Sequence, residues 1–202
     1  FILHFDLKSY PLADYQEVGV MNAAHTVANA PEKITPVLVD KLFEYVRQFT
    51  GSMRKGYMIY GHSAGGQFVQ RFMLFHDSPY VEKAIISSPG WYTFPDLAQT
   101  YPYGTAGIPY ISSEQIKKYL SKPIILQLAL GDTIRESFLR KTPEAERQGR
   151  NRMERGRSFW LYIHQLAASR GWECHWRKIE ECGIGHEAVN ILLADDHKMI
   201  RE

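Results

Sequence analysis

Cysteine is scarce, with only Cys174 and Cys182 in 202 residues. Residues 176–180 between them read as a strand. At ~3.3 Å per extended residue the two lie about 26 Å apart, past the ~7 Å Cα limit of a disulfide. Both are expected to be free thiols, which leaves the compartment open. No Cys/His pair stands at ligand spacing, so no metal site is expected. No apolar run approaches the ~20 residues of a membrane span. Charge is nearly balanced, 24 Lys and Arg against 22 Asp and Glu, net +2. Neither a nucleic-acid partner nor a polybasic membrane surface is expected from that balance. Internal repeats, low-complexity tracts and long linkers are missing. So are an initiator methionine and a signal peptide. The chain opens on Phe1-Ile2-Leu3-His4-Phe5, which reads as a strand already in progress, with earlier elements expected to be missing. A missing targeting signal therefore leaves localisation open.

What is there fits one soluble-type domain with a sizeable core: 45% hydrophobic and 23% charged residues over this length. Strands and helices alternate, which predicts an α/β fold with a mostly parallel sheet and helices on both faces. Thr35-Pro36 opens a helix, Thr as N-cap and Pro at the first helical position. Leu38, Leu42, Val46 and Phe49 form its apolar face, and Gly51 ends it. Residues 83–87 and 123–130 are predicted strands, the second apolar enough to be buried on both faces. Thr142-Pro143-Glu144 starts a helical region with Met153, Gly156, Trp160, Ile163 and Ala167 on one face. A last helix is expected from about 187 to 199. The arginines of 140–157 are read as a solvated helix face rather than an anion or partner site.

One pentapeptide carries chemistry. Gly61-His62-Ser63-Ala64-Gly65 matches G-x-S-x-G, a pattern that chance supplies about once in twenty chains of this length. Its flanks raise its weight. Before it, residues 56–60 read as a buried strand. After it, Phe68, Val69, Phe72 and Phe75 recur at helical spacing. Ser63 thus stands on a tight strand-to-helix turn, where Gly61 and Gly65 let strand and helix approach. The helix N-terminus adds positive potential, and the Ala64 N–H is a candidate oxyanion donor.

A serine hydroxyl needs an imidazole to take its proton and a carboxylate to orient that imidazole. Of eight histidines, His186 stands out: it lies in Gly183-Ile184-Gly185-His186-Glu187, after a predicted strand and before a predicted helix. Strand carboxyl ends are where sites form in open α/β sheets. His62, next to Ser63, cannot easily bend back to it and is placed with the substrate-contacting candidates. Gly131-Asp132-Thr133 follows the buried strand, so Asp132 is the candidate acid, with Glu136 as runner-up. The chain order Ser63, Asp132, His186 is that of α/β-hydrolases.

The chain resembles the α/β-hydrolase superfamily from its first residue to the last helix. More narrowly, Gly61-His62-Ser63-Ala64-Gly65-Gly66-Gln67-Phe68, Gly90-Trp91-Tyr92-Thr93-Phe94-Pro95-Asp96 and Tyr101-Pro102-Tyr103-Gly104 are similar to a bacterial branch of serine hydrolases. That branch is related to polyhydroxybutyrate depolymerase-like and feruloyl-esterase-like enzymes. The resemblance implies cleavage of a small-molecule ester by Ser63, His186 and Asp132, with no metal or organic cofactor. Serine peptidase or thioesterase chemistry on the same triad, or hydrolase-like binding without turnover, are the alternatives. The family usually has about three strands before the one residues 1–5 resemble, and the loop after the third supplies a second oxyanion donor. No counterpart is found here; losing such a donor costs about a hundredfold or more in rate. Residues 1–202 are thus expected to be one domain lacking its N-terminal strands, with 91–122 as a lid-like insertion. Its rings, Trp91, Tyr92, Phe94, Tyr101, Tyr103 and Tyr110, either wall a pocket or pack the loop onto the core. Trp91, with Tyr92, is the leading pocket-wall candidate.

Overall fold

In a computed structural model of the chain, residues 1–6 and 8–187 are described. Among these residues, four strands form one sheet in chain order: β1 (Tyr57–His62), β2 (Val81–Ser87), β3 (Ile124–Ala129) and β4 (Arg177–Glu181). Every neighbouring pair is parallel. The helices are α1 (Leu12–Tyr15), α2 (Thr35–Thr50), α3 (Ala64–Phe75), α4 (Ser113–Leu120), α5 (Pro143–Gln148) and α6 (Arg152–Arg170). Parallel strands need long crossovers; α3, α4 and α6 lie within three successive ones. No helix among the described residues is long and apolar enough to cross a membrane.

Hydrophobic pattern decides the layers. All six residues of β3 are buried, as its continuous apolar run requires. Phe68 and Phe72 of α3, Tyr119 and Leu120 of α4, and Phe159 and Ile163 of α6 share one core with Ile86, Leu126 and Leu128. Ile85 and Ile125 form a smaller cluster with Tyr60 and Ile179. Cys174 and Cys182 are both free.

Several local expectations need correction. Residues 1–5 are not a strand: Phe1 and Ile2 are 102% and 98% exposed. An apolar run becomes a strand only where a neighbour takes its N–H and C=O groups. Thr35 does not cap α2. Ile34 is the N-cap, and the Thr35 hydroxyl donates instead to the Asp14 carbonyl at 2.6 Å. Gly51 does end α2, in the left-handed conformation. The helical region from 142 is two helices, with Thr142 capping α5 and Asn151 capping α6. The expected last helix, 187–199, lies almost wholly outside the described residues.

Candidate functional site

The site is built where three strands end. After β1 the chain turns at Ser63, whose φ of 53° and ψ of −113° lie outside the ordinary regions for a side-chain-bearing residue. Packing holds it there. A Cβ on Gly61 would stand 2.1 Å from the Gly65 carbonyl oxygen, and one on Gly66 2.6 Å from the Ser87 carbonyl oxygen. Gly65 does not serve that approach as expected: its Cβ would meet only the Tyr15 hydroxyl, at 3.6 Å. The Ser63 N–H donates to the Ser87 carbonyl at 2.9 Å, tying the turn to the end of β2. Ala64 begins α3, so its N–H is among the four that a helix leaves without an internal partner.

The structure brings Ser63, His186 and Asp132 together. His186 Nε2 lies 2.9 Å from Ser63 Oγ. His186 Nδ1 lies 2.6 Å from Asp132 Oδ2. Asp132 is buried behind the imidazole. Its loop follows β3 and lies on the histidine loop, where Gly131 N–H donates to the Ile184 carbonyl at 2.8 Å.

His62 sits beside this group. Its Nε2 is 3.1 Å from the His186 carbonyl oxygen and its Nδ1 is 3.1 Å from Ser87 Oγ. A carbonyl only accepts, so Nε2 carries the proton and Nδ1 accepts from the Ser87 hydroxyl. The two imidazoles stand 4.6 Å apart, centroid to centroid. Burial, then the proximity of His186, holds the His62 pKa below the usual histidine value. His62 therefore braces the histidine loop as a neutral ring.

Trp91 and Tyr92 correct the pocket-wall expectation. Trp91 is 2% exposed. Arg71 lies 3.9 Å and Arg140 4.3 Å from its ring centroid, with Tyr103 packed against it at 5.0 Å. Tyr92 is buried and stacks on Phe159 at 4.5 Å. Burial of their apolar area wins over exposure at the site. Buried Gln70 stitches the same segment to α3 and α4, donating to the Thr93 carbonyl and the Tyr119 hydroxyl, each at 3.0 Å.

The arginines of 140–157 are not all a solvated face. Arg152 and Arg155 are buried. Arg155 donates to the carbonyls of Gly149, Gly90 and Arg140. Arg152 reaches Asp132 and Glu136. Sequence reasoning missed Ser87, Gly131 and Arg152. Their only local signal is position: Ser87 and Gly131 close predicted strands beside the site, and Arg152 follows the Asn cap of α6.

Comparison with solved structures agrees with this fold. No protein-family model and no curated protein sequence matches the chain. Among solved structures, poly(aspartic acid) hydrolase-1 from Sphingomonas sp. KT-1 is similar at 33% identity, with a TM-score of 0.88 over 94% of this chain and 72% of that one. The poly(3-hydroxybutyrate) depolymerase LpqC from Bordetella parapertussis is similar at 26% identity, with a TM-score of 0.89 over 96% of this chain and 68% of that one.

Proposed function

The chain belongs to the α/β-hydrolase superfamily, and from that membership we propose that it is a serine hydrolase cleaving a carboxylic ester through an acyl-enzyme on Ser63. One observation carries the reading: a single imidazole, His186, lies within hydrogen-bond reach of Ser63 Oγ on one nitrogen and of the buried Asp132 carboxylate on the other.

The chemistry follows from the protons. Nδ1 of neutral His186 donates to Asp132, which leaves Nε2 free to accept the Ser63 proton as Oγ attacks the ester carbonyl. Asp132 stabilises the imidazolium that forms. The Ala64 N–H donates to the oxyanion. As the C–O bond breaks, Nε2–H gives its proton to the leaving alcohol. A water then enters, loses a proton to Nε2 and attacks the acyl carbon. Ser63 leaves with that proton, and the carboxylic acid is released.

An amide substrate is the second reading, favoured by the polymer named for the 33%-identical hydrolase. A fluorophosphonate probe tests the nucleophile. Labelling is expected in the parent chain, lost in Ser63→Ala and sharply reduced in His186→Ala; a folded chain that stays unlabelled refutes the proposal. Faster turnover of a p-nitrophenyl ester than of the matching p-nitroanilide supports the ester reading, and the reverse order supports the amide.

A further inference from the structure

Arg152 opens α6 behind the acid. Its side chain is 2% exposed, yet its Nη1 stands 3.3 Å from Asp132 Oδ1 and 2.7 Å from Glu136 Oε2. Its guanidinium carbon lies 5.5 Å from the Phe138 ring centroid, and its Nε has no hydrogen-bond partner among the described residues. Arg155, one turn on, is the contrast. It ties together three backbone carbonyls and Glu146, as an arginine that staples loops would. Arg152 is aimed at carboxylates. One of them has its other oxygen on His186.

Resting on the triad reading above, we propose that Arg152 is a positioning residue: it holds the Asp132 carboxylate for His186, and its division between Asp132 and Glu136 sets the pH range over which His186 works as a base. Arg152 shares its charge between the two carboxylates. A carboxylate with both oxygens engaged cannot rotate away from the imidazole. A guanidinium at one oxygen also weakens the field that Asp132 exerts at the other. Glu136, 29% exposed, draws part of that positive charge toward itself. Among the described residues, the other titratable groups whose charge bears on this cluster are His62 from β1, the buried Tyr92 phenol and Arg155 on α6. His62 and Tyr92 are held neutral by burial.

The two partners then act in opposite directions. Removing the guanidinium in Arg152→Met leaves the full Asp132 charge on His186 and favours imidazolium. The acid limb of kcat/KM moves to higher pH. Removing the carboxylate charge in Glu136→Gln gives Arg152 wholly to Asp132 and disfavours imidazolium. The limb moves to lower pH. Arg152→Lys keeps the charge without the planar fork, so the limb stays near its original place and much of the lost kcat returns.

The experiment is the pH profile of p-nitrophenyl ester hydrolysis by the whole chain and these three variants, with Ser63→Ala alongside. Expected are opposite limb shifts of about half a pH unit or more. Arg152→Met is also expected to lose about tenfold or more in kcat, with KM within about twofold. If Arg152→Met does not fold, Glu136→Gln decides alone by the direction of its shift. Unmoved limbs, or shifts of the same sign, overturn the inference while leaving the triad intact, provided Ser63→Ala is inactive. Turnover retained in Ser63→Ala overturns the triad reading and this inference with it.

Discussion

The carbonyl oxygen of Ile184 stands 2.6 Å from where a Cβ on Gly131 would lie. That contact presses the loop carrying Asp132 onto the loop carrying His186. A backbone oxygen cannot yield as a side-chain tip can, so Gly131→Ala must move one loop off the other. A displacement of about 1 Å can cost a hundredfold in rate. Gly131→Ala is therefore expected to fold, with ester turnover reduced by about two orders of magnitude. Steady-state kinetics beside a thermal melt checks this. Unchanged kcat would mean that the loops tolerate separation.

His62 and Ser87 give a finer test of the same loop. Ser87 holds the Ser63 N–H through its carbonyl and His62 through its hydroxyl, and His62 holds the His186 carbonyl. His62→Phe keeps a ring but loses both hydrogen bonds, and Ser87→Ala loses one. Each lost bond is worth about 1 kcal/mol. Fluorophosphonate labelling is expected to slow about tenfold in His62→Phe and less in Ser87→Ala. If the larger effect falls on KM instead, His62 contacts substrate, as its place beside Ser63 in the sequence predicts.

What the sequence made legible was what the backbone demands locally. Gly61 and Ser63 are fixed by a turn that only certain residues enter, β3 by an unbroken apolar run, and Asp132 and His186 by lying just past strand ends. All can be read within a few residues of chain. Trp91 and Arg152 could not be read this way, because their partners lie far off in sequence. Trp91 belongs to Arg71 and Arg140, and Arg152 to a carboxylate twenty residues earlier. Residues 1–5 fail for the same reason, since strand formation depends on a neighbour that a single segment cannot reveal.

Asp40 on α2 anchors the lower end of the sheet. Its carboxylate accepts from Tyr57 at 2.6 Å and Ser78 at 2.7 Å, and His76 Nε2 lies 2.8 Å away. Burial alone would raise its pKa. The hydrogen bonds from His76, Tyr57 and Ser78 together outweigh burial and leave it below the usual 3.8. A carboxylate depressed on folding stabilises the fold fully above its unfolded pKa and loses that contribution as pH falls through its folded one. Asp40→Asn is thus expected to cost about 2 kcal/mol near neutral pH. The gap from the parent chain should narrow below about pH 4, where the parent's carboxylate also becomes neutral. Urea unfolding at both pH values checks this, and a gap constant with pH would put the effect on shape rather than charge.

Trp91 separates core from pocket. Between two guanidinium groups its ring contributes buried area and cation–π attraction. It also shields Arg71, whose guanidinium is buried deeply enough to lower its pKa to about 10. Trp91→Ala opens a cavity beside a cation that has lost its ring, and large aromatic truncations of this kind cost about 3 to 5 kcal/mol. Trp91→Phe keeps an aromatic face and should cost less than half as much. Where each variant remains folded, KM for p-nitrophenyl esters of different acyl length should stay within about twofold of the parent, because uniform substrate binding is not what the ring supplies. Urea unfolding paired with acyl-chain selectivity reads both quantities. A stable Trp91→Ala with altered selectivity would return the ring to the substrate pocket; an unstable one with unchanged selectivity keeps it in the core.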